Sequence, residues 1–291
     1  MKQSKQYSTA IDFRRALEER LAQISKKENI DIQRLRRQVA FDRLLARLFA
    51  ASPAPWVLKG GYAMQLRMST ARATKDVDLA VREGKLFSKN KEEQNKAILD
   101  LLREKADSIF PDFFSFLISD PILDLDAAPY GGARFHVEAR LADRPFEKFH
   151  LDIGVGDVWI EPLDTLGSRG WLEFAGIEAL SFPAIPKEQQ FAEKLHAYTL
   201  PRKEGVTNSR TKDLVDMVLL IEAKELDAQK IATAIHATFE RRATHKLDTN
   251  LPPPPASWIA PFKKMAEECG LKSDLAAAYK TVFEFVKTLA T

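Results

Sequence analysis

The chain has 291 residues, 45% hydrophobic and 29% charged, with a formal net charge of +3. That balance excludes a highly basic coating protein and an acidic disordered tail, and the length can bury one large core or two modest ones at ~100–200 residues per domain. The charge is unevenly placed, at +9 over residues 1–100, −8 over 101–200 and +2 over 201–291, so the first third is expected to meet an anion while the middle third repels one or holds metal.

The opening residues, MKQSKQYSTAIDFRR, contain no apolar run, and no stretch approaches the ~20 apolar residues that cross a bilayer. The one cysteine, Cys269, allows neither an internal disulfide nor a cysteine-based metal site. A soluble, cytoplasmic protein with no membrane partner is expected. Two amphipathic helices are predicted at Ser8–Ser25 and Asp31–Ala50. Their polar faces carry Arg14, Arg15, Arg20, Arg34, Arg36, Arg37, Arg43 and Arg47, a density that points to phosphate contact beyond simple solvation.

After the loop SPAPW, Trp56–Leu58 reads as a short buried strand ending in Lys59-Gly60-Gly61, with a helical turn through Arg67. Asp76–Val81 reads as a strand of period two. A polar helix is predicted over Lys89–Phe110, then strands at Phe113–Ser119, Ala133–Leu141 and Lys148–Val155, close enough together to form an antiparallel part of one sheet. From Pro186 the pattern turns helical, with segments at Lys187–Thr199, Thr211–Ala223, Asp227–Arg241 and Leu271–Leu289. The tetraproline at 252–255 can be neither helix nor central strand and reads as a stiff spacer. The expected architecture is an α+β domain over residues 1–185 and a helical domain over 186–291 that completes the active site.

The chemistry concentrates in residues 58–81, LKGGYAMQLRMSTARATKDVDLAV. Alternation along a strand puts Asp76 and Asp78 on one face with Cα atoms ~6.5 Å apart. Carboxylates this close repel and gain most from a divalent cation between them, and Gly60 and Gly61 let backbone and a helix N-terminus approach a phosphate. A metal-bound triphosphate would unite both halves. A third carboxylate is expected from Asp152, which carries a charge in an otherwise apolar strand; His150 shares its strand parity, and Asp157 is a weaker alternative. Lys187 and Lys194 fall on the surface of the helix that begins near Pro186. Arg210-Thr211-Lys212-Asp213-Leu214-Val215-Asp216 opens another helix, where an early Asp favours the helix dipole.

Together the Lys59-Gly60-Gly61 turn, the Thr74-Lys75-Asp76-Val77-Asp78-Leu79 strand, the Lys194 helix and the Arg210–Asp216 segment resemble, over roughly residues 40–225, the AbiEii/MenT-type nucleotidyltransferase toxins, a branch of the polymerase-β-like superfamily. The resemblance implies a mixed nucleotidyltransferase sheet with flanking helices followed by a helical module. It implies that Gly60 and Gly61 cradle the triphosphate, with Gly61 where the superfamily usually has Ser, and that Asp76 and Asp78 hold Mg²⁺. Lys194 would contact nucleotide phosphates, and Asp213, helped by Asp216, would orient that region or the base. Lys59, Lys75, Lys187 and Arg210, the basic residues of these segments, are candidate nucleotide contacts; the family often lacks a clear third carboxylate, so Asp152 as a metal ligand rests on its place in the strand. The implied activity is transfer from an NTP to an RNA acceptor such as the tRNA 3′ end, blocking translation, in a toxin whose cognate antitoxin is a winged-helix regulator. A protein or small-molecule acceptor, or nucleotide binding without turnover, is the alternative.

Overall fold

Helix α1 (Ala10–Glu28) starts where Thr9 accepts a hydrogen bond from the Asp12 N–H and stops at Asn29 in the left-handed conformation. Asp31 caps α2 (Ile32–Leu48) in the same way. These are elements of a computed structural model that describes residues 7–51, 53–81, 88, 90–125 and 128–289. The chain divides into two units: residues 1–66, 73–156 and 165–183, and residues 67–72, 157–164 and 184–291.

The first unit carries β1 (Trp56–Lys59), α3 (Gly60–Arg67), β2 (Asp76–Val81), α4 (Lys91–Ala106), β3 (Phe114–Asp124), β4 (Gly132–Leu141), β5 (Arg144–Val155) and the short β6 (Asp164–Gly167) and β7 (Ser181–Ala184). They form a mixed seven-stranded sheet in the order β3-β4-β5-β2-β1-β7-β6. As expected, β3, β4 and β5 pair antiparallel. β2 runs parallel to β5 and antiparallel to β1. One face of the central strands is apolar, with Leu58, Val77, Leu79, Phe135, Leu151 and Ile153 all fully buried. Phe41 of α2 packs edge-on against Tyr62 and Phe149, with ring centroids 4.8 Å apart in each case. The predicted strands are each extended: β3 runs on to Asp124 through a bulge near Pro121, and β5 begins at Arg144. The helix predicted from Lys89 is α4; residue 89 lies outside the described residues.

The expected phosphate-facing arginines are largely engaged within the fold. Arg47 forks Asp112 at 2.8 and 3.0 Å with both side chains buried, and Arg43 lies 3.6 Å from the same carboxylate. Arg36 binds Glu18, Arg37 pairs with Glu147, and Arg14 donates to the carbonyls of Leu141, Arg144 and Pro145. The amphipathic pattern located the helices correctly, but a charged residue on such a helix can reach under a sheet edge as easily as into solvent.

The second unit is helical: α5 (Lys187–Thr199), α6 (Thr211–Glu222), α7 (Ala228–Arg242), α8 (Ile259–Cys269) and α9 (Leu275–Thr288). α5 packs on α6 and α7, and α6 on α8 and α9. Residues 251–255, with the tetraproline, carry no regular structure. Among the described residues no helix is long and apolar enough to cross a membrane.

Candidate active site

Strand register builds the first cluster. Asp78 lies opposite Lys59 on β1 and Asp152 on β5, and Asp152 lies opposite Arg134 on β4. A row of cation, anion, anion, cation therefore crosses four strands on the face opposite the apolar core. One step along, Asp76, His150 and His136 form a second row. His150 Nδ1 is 3.1 Å from Asp76 Oδ1, and the two imidazoles stand 5.8 Å apart, centroid to centroid.

The Gly-Gly turn is pressed against this face. Gly60 has φ +66°, and a Cβ added there would stand 2.0 Å from Asp78 Oδ2; one added at Gly61 would stand 2.7 Å from the Thr74 hydroxyl. The Gly61 N–H points at Asp78 Oδ2 from 3.4 Å. The absence of side chains at these positions thus serves close packing on the strand that carries the aspartates, a role the sequence reading assigned to phosphate approach alone. Burial, then Asp152 and Asp76, push Asp78 up to about 6, against the opposing pull of Lys59.

Asp76 and Asp78 suit a divalent cation by their chemistry: two hard oxygen donors on one face, one of them crowded by other carboxylates. Among the described residues no group of three or more His, Cys, Asp or Glu is placed to hold a metal ion. That is compatible with Mg²⁺, which typically takes one or two carboxylates and completes its shell with water and substrate phosphates. Asp152 has its oxygens engaged by the Arg134 guanidinium, at 2.7 Å to each. Lys75 is exposed, and Asp157 pairs instead with Arg242 in the second unit, at 2.9 Å.

The second cluster lies within the helical unit. Lys194 is buried rather than on the helix surface: its Nζ is 2.5 Å from Asp216 Oδ2 and 3.5 Å from Asp213 Oδ1. Arg72, from the segment between α3 and β2, forks the same Asp216 at 3.0 and 2.8 Å. Burial pulls the Lys194 ammonium down, but Asp216 and Asp213 overcome it and hold it above its usual range. Burial likewise raises Asp216, and Lys194 and Arg72 outweigh it, so its carboxyl sits below the ordinary value. Arg210 lies 3.6 Å from Asp213. Lys187 pairs with Glu225 at 3.3 Å and stands apart from this cluster's contacts. Arg72 went unread because its partner is 144 residues away; Arg134 and His150 announce themselves only as polar positions in strands of period two.

The profile of the nucleotidyl transferase AbiEii toxin family, type IV TA system, matches residues 43–285. The chain belongs to this family. It is a nucleotidyltransferase toxin of the AbiEii kind, from a toxin–antitoxin system, and as such has an NTP as substrate and an antitoxin as partner. The fold resembles MenT4, a nucleotidyltransferase toxin from Mycobacterium tuberculosis H37Rv, at 16% identity and TM-score 0.55 over 94% of this chain and 97% of that one. JHP933 from Helicobacter pylori aligns with TM-score 0.47 and 16% identity over 90% and 96% of the two chains. No curated protein matches the sequence. The chain has the α+β nucleotidyltransferase architecture that the resemblance of its motifs implied.

Proposed function

We propose that this AbiEii protein is a Mg²⁺-dependent transferase that moves nucleotides from an NTP to an RNA acceptor, the tRNA 3′ end, and thereby stops translation, and that its antitoxin is a winged-helix regulator. The observation that carries the reading is the seating of the Gly60-Gly61 turn directly on Asp78, which brings backbone N–H groups and paired carboxylates to one place. Asp76 and Asp78 would hold the ion, which when bound supplies charge neutralisation for phosphate oxygens and a lowered pKa for the attacking hydroxyl. His150 orients Asp76 by hydrogen bonding to one of its oxygens and leaves the other for a ligand. Lys59 and the turn face the phosphates. Lys194, kept charged by Asp216 and Asp213, is assigned to nucleotide phosphate, with Arg210 beside Asp213.

Incubation of the pure protein with total tRNA, Mg²⁺ and each labelled NTP in turn tests this. Label is expected in tRNA with at least one NTP and lost in the Asp76→Ala/Asp78→Ala variant. Label on protein or on a small molecule, with tRNA unlabelled, would assign a different acceptor.

A further inference from the structure

Asp152 is the carboxylate best placed by register to join Asp78 in a two-ion centre, yet it is the one most fully engaged. Arg134 Nε and one terminal nitrogen each donate to a separate oxygen of Asp152 at 2.7 Å, a bidentate fork that engages both oxygens. The pairing is fixed by the sheet, since Arg134 and Asp152 are register partners on adjacent strands. Only 13% of the Asp152 side chain is accessible, so releasing it to a metal would strand a partly buried guanidinium. Asp76 offers one oxygen to His150, and Asp78 is met by the Gly61 N–H at the long distance of 3.4 Å. The oxygens still open to an ion therefore belong to Asp76 and Asp78.

We infer that Arg134 supplies at Asp152 the positive charge that a second divalent cation would otherwise bring, so that this centre is built for a single ion held by Asp76 and Asp78. The inference rests on the metal-dependent reading above. Arg134 is a positioning residue here: it acts on the ion through Asp152 and the charge of the row. The outer pair, Lys59 and Arg134, brackets the two aspartates and keeps the row near neutrality with one lysine, one arginine and two carboxylates.

Mn²⁺ titrated alone into the full chain, with free ion followed by electron paramagnetic resonance, tests this without turnover. Wild type is expected to bind one ion per chain. Asp152→Asn should also bind one ion, more weakly because the row loses a negative charge, since loss of a residue beside the ligands already weakens metal binding by about tenfold or more. Arg134→Met should free Asp152 and bring in a second ion. Two ions in wild type, or a single ion in Arg134→Met, would overturn the inference. No ion in wild type would instead overturn the metal reading on which it stands. If Arg134→Met does not fold, the wild-type stoichiometry decides alone.

Discussion

At the scale of single residues, the burial of Lys194 gives it two roles that a helix-surface lysine could not combine. Its ammonium is both an internal counter-charge and a candidate phosphate ligand, and Asp216, fully buried between Lys194 and Arg72, holds it in place. Asp216→Ala leaves two cations without their shared anion and should cost about 3–5 kcal/mol of stability. Asp213→Ala removes a longer and more accessible contact and should cost under about 1 kcal/mol. Urea unfolding of both variants reads the difference, and equal losses would contradict the assignment of Asp216 as the main counter-ion. Gly60 gives a second residue-scale test. Gly60 and Gly205 both have positive φ, but a Cβ at Gly205 meets nothing within 4 Å. Gly205→Ala should cost about 1 kcal/mol from backbone strain, and Gly60→Ala at least about 2 kcal/mol, because Asp78 must also move. Similar Tm losses for the two would show that the turn does not press on the DxD strand.

Among the elements, α5 carries a titration of its own. His196, buried on α5, bonds Thr244 and faces Arg242, His245 and Asp157. Burial first, then Arg242 and His245, bring it down to about 3 from an ordinary 6.5. Between those values the unfolded chain binds a proton that the folded chain does not, so His196 favours folding above pH 6.5 and that contribution falls as the pH drops below it. From pH 7 to pH 5, wild type should lose about 2 kcal/mol more than His196→Gln; matching losses would contradict the burial of a neutral imidazole. The elements themselves were unevenly legible. α5 and α6 were placed at their N-termini to the residue and α7 within one residue at each end, because Pro186 and Asp227 are strong start signals and the apolar stripes are long. The four-residue strands β6 and β7 escaped because so few positions cannot establish a period of two, and α8 escaped because Pro261 in its first turn looks like part of the proline-rich spacer. Of the site, the Gly-Gly turn and DxD were readable because they are local. The partners that set the chemistry of the two clusters, Arg134 on Asp152 and Arg72 on Asp216, come from register and long-range packing that no short motif encodes, and of His150 only its strand parity was legible.

Across the whole molecule, part of the +9 of the first hundred residues is used inside the fold. Arg36, Arg37, Arg43 and Arg47 meet internal carboxylates, and Arg14 meets carbonyls. A polyanion gains no counterion release from arginines already paired in this way. The logarithmic salt slope of RNA association should therefore be shallow, corresponding to fewer than about three phosphate contacts; a slope corresponding to six or more would mean that these arginines leave their partners for RNA. The proposed reaction is transfer onto RNA at the Asp76/Asp78 centre. Mass spectrometry of the tRNA 3′ fragment after incubation with NTP and Mg²⁺ tests it most directly. Wild type is expected to add whole nucleotide monophosphate units and Asp76→Asn/Asp78→Asn to add none. An unchanged 3′ fragment with every NTP, or full addition by the double variant, would contradict the account.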